Sequence, residues 1–270
     1  GIGIIKVDSE SRLLWKRLGA QHHDLEVAED GRIFTLTRRA HMVPEINERM
    51  PILEDYVTIL DSEGEALHEF SVLQAFWESP FSAALQARDL PGRGDILHTN
   101  AIEILDGSLE GLGPAFRRGN LLLSMRQTST IAVVDIGSEE VVWTASGLWC
   151  EQHDPKVLPN GNIMVFDNKG AEGRSRVVEF NPVTREIEWR YGGEPKTDFF
   201  TQMCGANHRL PNGNTLITES DRGRAFEVTP AGEIVWEFVN PHFAGKHGGL
   251  IATLFDVVRL DPEFPTDWVD

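Results

Sequence analysis

The chain has 270 residues, 41% of them hydrophobic, with 42 acidic against 25 basic side chains and a formal net charge of −17. That apolar content suits a folded soluble protein rather than a disordered one, and no apolar run approaches the roughly 20 residues that span a bilayer. So acidic a chain argues against nucleic acid as a partner, and an anionic ligand would need a locally positive pocket.

The opening "GIGIIKVDSE" lacks the basic segment, long apolar region and cleavage site of a signal peptide. It leads at once into a strand–turn–strand pattern at 4–18, "IIKVDSESRLLWKRL". Next comes "HHDLEVAEDGRIFTLTR" at 22–38, a histidine-led run that crosses a Gly-containing turn into an apolar strand. "RRAHMVPEINERMPILED" carries two prolines and reads as an irregular insertion near 38–55. A second hairpin, "YVTILDSEGEALHEF", fills 56–70, and another insertion follows near 74–95. The two insertions could form a lid supplying Phe76, Trp77 or Phe81 to an aromatic ligand.

The alternation of hairpins and histidine-led runs then repeats. "HTNAIEIL" with "RRGNLLLSMR" precedes the hairpin "IAVVDIGSEEVVWTA"; "HDPKVLPNGNIMVFDN" precedes "RVVEFNPVTREIEWRY"; "HRLPNGNTLITES" precedes "RAFEVTPAGEIVWEF". Four of the seven tryptophans, Trp15, Trp143, Trp189 and Trp236, take one position in these hairpins, with His68 in the fifth. That position is expected to pack one blade on the next. The intervals His98 to His153 and His153 to His208 are both 55 residues; His23 to His98 is 75, the excess fitting an insertion. "PHFAGKHGG" adds His242 and His247, and "LIATLFDVVRLDP" reads as a last apolar strand.

Four strands in about 55 residues, repeated, is the size of a propeller blade. The expected fold is all-β: a single β-propeller domain over 1–270 with five four-stranded blades, the tail completing the N-terminal blade. Six blades, the alternative, would need residues that the sequence does not supply. In such a fold, equivalent loops converge, so His23, His98, His153 and His208 are expected around one funnel. Asp24 and Asp154 could orient an imidazole, strand alternation would aim Asn100 with His98, and Arg126 suits an anionic group.

"HHDLEVAEDGRIF", "ILHTNAIEIL", "LLLSMRQTSTIAVVD", "QHDPKVLPNGNIMVFDN" and "NHRLPNGNTLITES", spanning about 21–238, resemble the arylsulfotransferase (aryl-sulfate sulfotransferase) family of bacterial β-propellers. The resemblance implies sulfuryl transfer from a phenolic sulfate ester to a phenol through a sulfated histidine, with no cofactor and a periplasmic or secreted location. It implies that His153 takes the group, that His98, Asn100 and Arg126 bind sulfate oxygens, and that His23 is the other central histidine. His208 joins as a substrate-binding residue by internal symmetry alone. Neutral imidazole is a competent nucleophile near pH 7, and a second histidine could move the phenolic proton.

Two other functions use the same residues. His23, His98, His153 and His208 could ligate a transition metal such as iron in an oxidase or lyase, with Cys150 or Cys204 as a thiolate. Alternatively the propeller is a non-catalytic ligand-binding platform. On every reading the partner is a small aromatic or anionic molecule, and the oligomeric state is open.

Overall fold

The computed structural model describes residues 1–83, 94–170, 173–195, 197–245 and 249–266. β1 (Gly3–Val7) and β2 (Leu13–Leu18) form a hairpin. Four antiparallel meanders follow. The first joins β3 (Gln21–Val27), β4 (Ile33–His41), β5 (Ile52–Leu60) and β6 (Ala66–Ser71), with short β7 (Gly94–Asp95) added parallel to β5. The second is β8 (Thr99–Ile104), β9 (Leu121–Met125), β10 (Thr130–Asp135) and β11 (Glu140–Ser146). The third is β12 (His153–Val157), β13 (Ile163–Asp167), β14 (Arg176–Phe180) and β15 (Ile187–Gly192). The fourth is β16 (Ala206–Arg209), β17 (Thr215–Glu219), β18 (Arg224–Val228) and β19 (Ile234–Val239). A two-stranded pair, β20 (Phe243–Ala244) and β21 (Leu250–Ile251), ends the strands. These four-stranded meanders are propeller blades, and the fold class is the expected all-β propeller.

The chain divides into two compact units, Gly1–Thr144 with Asp261–Asp270 and Ala145–Leu260, the division falling within β11. The first unit's core is built from Phe34, Leu36, Val57, Phe70, Ile102, Leu123 and Val134 among others; the second centres on Met164, Phe166, Phe199, Ile217 and Phe226. Middle strands read as largely apolar runs because both faces are covered, as in the wholly buried β9 and β13.

Repeated turn chemistry sets the blades. In "PNGN" and its relatives, Asp30, Asn160 and Asn212 each accept a hydrogen bond from the backbone N–H two residues on. Gly31, Gly161 and Gly213 between them sit at φ 84–90°, where a side chain would be strained. The Asn160 and Asn162 amides bind Glu179 on β14, and Asn212 and Asn214 bind Glu227 on β18. These turns are therefore blade construction. The outer hairpins use Asp8, Asp61, Asp135 and Asn181 as acceptors for the same purpose.

The tryptophan position behaves as inter-blade packing where its contacts are described. Trp15 on β2 donates to the Ser62 carbonyl, and Trp189 on β15 to that of Pro230, each in a turn of the following sheet at 2.9 Å. His68, in the same repeat position, reaches Glu139 of the following sheet at 2.6 Å. Trp189→Phe is expected to lower stability by about 1 kcal/mol, read by denaturant unfolding.

Three expectations differ from what is found. Among the described residues four sheets have four or more strands, where five blades were expected, and the N-terminal hairpin is two-stranded. Of "LIATLFDVVRLDP", only β21 is a strand, pairing with β20, and Phe255, Val258 and Leu260 stay exposed. An apolar alternation becomes a strand only where an edge is available to pair with. The insertion near 38–55 is largely ordered ladder, Arg38↔Asp55 through His41↔Ile52, because its prolines fall at 44 and 51, within or beside the connection. The insertion near 74–95 begins in the short helix α1 (Val72–Trp77), capped by Ser71 Oγ; its 84–93 stretch, like His247, lies outside the described residues.

Candidate functional site

In the second unit, His153 opens β12 at a register shift between His153 and Lys156, and it is buried. A bulge re-aims a side chain that a regular ladder would alternate. The His153 Nδ1 lies 2.7 Å from Asn168 Oδ1. The Asn168 amide nitrogen donates to the carbonyls of Thr201 (3.1 Å) and Cys204 (2.6 Å), so its oxygen is the atom facing the histidine. An amide oxygen only accepts; His153 therefore carries its proton on Nδ1, and its Nε2 bears the lone pair when neutral.

The support under this contact is buried and polar. Ser175 Oγ donates to the Asn168 carbonyl at 2.7 Å and accepts from the Thr201 N–H. Asp167 accepts from the Cys150 N–H at 2.9 Å and from Arg176 Nε at 2.8 Å, while Arg176 also reaches the Leu148 carbonyl. Burial pushes the Asp167 carboxyl above the usual range despite these donors.

In the first unit, three histidines meet. His22 and His23 lie in β3, at a register shift between Gln21 and Leu25, and His98 immediately precedes β8. His23 and His98 both take left-handed backbone, φ 57° and 54°, a strained conformation for such residues. The His22 and His23 Nδ1 atoms are 2.6 Å apart, and the His23 and His98 rings meet edge-on with centroids 4.7 Å apart. His98 Nδ1 contacts Asp95 Oδ2 at 2.6 Å, and Arg38 stands 3.6 Å from the same oxygen. The Arg126 N–H donates to the His98 carbonyl, bringing that segment beside the cluster. Behind it, Asp55 accepts the Thr99 N–H at 2.6 Å.

The family model of the arylsulfotransferases (ASST) matches residues 3–241. The chain belongs to the arylsulfotransferase family. Among solved structures, a Bacteroides caccae protein of unknown function is 15% identical with a TM-score of 0.59, over 93% of this chain and 78% of that one. The Dos1 propeller is 12% identical with a TM-score of 0.51, over 90% of this chain and 54% of its own length. At these identities the likeness concerns the fold, and this arylsulfotransferase-family chain spans about half of the Dos1 chain. No curated protein matches.

The ladders of this arylsulfotransferase-family member align its blades residue by residue. Val27, Ile104, Val157 and Arg209 face Ile33, Leu121, Ile163 and Thr215 at the same point of each first hairpin. Counting back four residues, His23, Asn100, His153 and Gly205 are equivalent. His208 instead matches Lys156, and His98 lies two residues before the shared position. Gly205 could not be a histidine: even a Cβ there would lie 2.5 Å from the Phe166 ring.

Asp24 and Asp154 each bind a backbone donor of the next blade. Asp24 Oδ2 accepts the Ile102 N–H at 3.0 Å and Asp154 Oδ2 that of Asn207 at 2.8 Å, equivalent positions on the next blade. They clasp adjacent first strands. Asp154→Ala strands a buried N–H and should cost about 1–3 kcal/mol, measured by equilibrium unfolding. Simple alternation also fails at His98 and Asn100, because the register shifts between Thr99 and Ala101; Asn100 is buried within β8.

His208 sits in a regular ladder and contacts Asp256 of the tail at 2.7 Å. Burial lowers its pKa, but the Asp256 hydrogen bond and the charges of Asp154 and Asp256 outweigh it and raise the group above 6.5. Asp256 falls below 3.8, because His208 outweighs the effect of burial. A raised histidine stabilises below pH 6.5 and loses that as pH rises through its folded value; the lowered carboxyl stabilises above pH 3.8. The tail contact should therefore be firmest between these values, with amide exchange near Asp256 quickening on the alkaline side.

Asn168, His22, Asp55 and Asp95 went unassigned in sequence. Only His22 and Asn168 carried a signal there, in "HHD" and "FDN". Among the described residues no group of three or more His, Cys, Asp or Glu is arranged to hold a metal. No helix among them is long and apolar enough to cross a membrane.

Proposed function

We propose that this chain transfers a sulfuryl group from an aryl sulfate to a phenolic acceptor, with His153 Nε2 as the atom that carries it. Family membership supports the transferase class. The observation that carries the reading is the Asn168 contact, which dedicates Nδ1 to a structural hydrogen bond and leaves Nε2 the nucleophilic lone pair. In the reading, the sulfur–oxygen bond to the donor aryl group breaks as the bond to Nε2 forms, and an acceptor phenol then reverses the exchange. The family resemblance assigns Arg126 and Asn100 to the sulfate oxygens and His23 with His98 to the phenolic proton. His208 has no part in it, since it occupies the Lys156 position.

Release of a chromogenic phenol from its sulfate ester, measured with and without a phenolic acceptor, tests this. Acceptor-dependent release, falling by roughly 10²-fold or more in Asn168→Ala through loss of the tautomer, is expected. Release independent of acceptor, or no release at all, would contradict it.

A further inference from the structure

Behind His23, which is exposed, stand two groups that the reading above leaves unused. The His22 side chain is 3% exposed and that of Asp55 1%. Asp55 Oδ2 is occupied by the Thr99 N–H. Its Oδ1 faces His22 Nε2 at 3.5 Å, and neither atom has a hydrogen-bond partner. On the other side of the ring, the 2.6 Å contact between the His22 and His23 Nδ1 atoms needs one N–H and one lone pair.

Two arrangements are possible. With the proton on His22 Nδ1, a neutral His22 turns a lone pair on Nε2 toward a carboxylate oxygen, and both atoms remain unsatisfied. With the proton on Nε2, it points at Asp55 Oδ1, while Nδ1 accepts the Nδ1–H of His23. The second pairs the two orphaned atoms, His22 Nε2 and Asp55 Oδ1, with each other, and the 3.5 Å gap is of the kind that tightens when charge reaches the site.

We propose that Asp55 and His22 are positioning residues for His23: Asp55 holds the His22 proton on Nε2, His22 accepts the Nδ1–H of His23, and His23 exchanges protons with the phenol through Nε2 alone. The assignment to the phenol rests on the sulfuryl-transfer reading; the hydrogen-bond chain does not. In the first half-reaction the Nε2 proton of His23 passes to the phenolate oxygen as the sulfur–oxygen bond breaks and the sulfur bonds to the carrier nitrogen. In the second, the acceptor phenol returns a proton to His23 Nε2 as its oxygen bonds sulfur and the sulfur–nitrogen bond breaks. The Nδ1–H of His23 stays hydrogen-bonded to His22 Nδ1 throughout.

The surroundings agree. Burial drives the His22 pKa down to about 4, with Arg38 and His98 acting the same way and the Thr37 backbone hydrogen bond and Asp95 opposing, so His22 is neutral at pH 7 and can accept. Burial raises Asp55 to about 6, with the Thr99 N–H and side chain and His98 lowering it and Asp95 raising it; above pH 6 it is mainly the carboxylate that the arrangement needs.

The test is long-range ¹H–¹⁵N correlation on histidine-labelled protein at pH 7.5, paired with the pH profile of kcat/KM for an aryl sulfate. The wild-type protein should show His22 protonated on Nε2 and His23 on Nδ1. Asp55→Asn should mix the His22 tautomers and move the alkaline limb about one pH unit lower, since a carboxylate that favours imidazolium is lost. A wild-type His22 proton on Nδ1, or an Asp55→Asn protein whose tautomers and alkaline limb match wild type, overturns the proposal. The wild-type spectrum decides even if Asp55→Asn fails to fold, and His22→Gln then supplies the pH comparison. Because the spectrum needs no turnover, expected tautomers without aryl-sulfate turnover overturn only the sulfuryl-transfer reading. Turnover with the opposite tautomers overturns only the positioning role.

Discussion

His153→Ala is expected to lower aryl-sulfate turnover by roughly 10³-fold or more, the scale on which enzymes lose rate with their nucleophile. The loss should fall on kcat, because the carrier nitrogen itself is removed. His153 is buried and bonded to Asn168, so the variant also strands an amide oxygen, at a cost of about 1–3 kcal/mol. Kinetics are therefore to be read beside unfolding curves: a folded variant with unchanged kcat would remove His153 from the mechanism.

Arg176→Met should produce the largest loss of stability. Arg176 Nε lies 2.8 Å from Asp167 Oδ2, with the two side chains 11% and 0% exposed. Removing one partner of a buried pair leaves the other charge uncompensated, at about 3–5 kcal/mol, or on the order of 10 °C in Tm. Calorimetry should find this deficit at neutral pH and a smaller one in acid. The sign follows from Asp167: burial raises its folded pKa above 3.8, so its burial is favourable when protonated and that benefit is lost as pH rises through the folded value. Because Asp167 also holds the Cys150 N–H and adjoins Asn168, activity should fall with stability.

Blade construction was legible in sequence because it is local chemistry. Asp or Asn acceptors, a glycine at positive φ and the alternating strands around them all lie within a dozen residues of one another. His23 and His153 were legible as equivalents for the same reason, each five residues before its turn and each followed by aspartate. His208 matches His153 only with histidine itself as the repeat anchor; aligned on "LPNGN", it lies three residues from the His153 position. The aspartates resembled imidazole partners because their acceptors' true donors, the N–H groups of Ile102 and Asn207, lie 78 and 53 residues away. Asp55 could not be found at all: its donor, Thr99, is 44 residues on, and nothing near it in sequence signals burial. Sequence shows a blade's own hydrogen bonds far better than those between blades.

The central claim is a covalent one, that His153 Nε2 carries the sulfuryl group between donor and acceptor. Its most direct measurement is rapid-quench mass spectrometry of the protein after mixing with an aryl sulfate, with the adduct mapped by peptide. The account predicts one sulfuryl group on the peptide containing His153, formed as the phenol is released and discharged when a phenolic acceptor is added. Phenol release with no adduct on His153, or an adduct that the acceptor does not discharge, would contradict it.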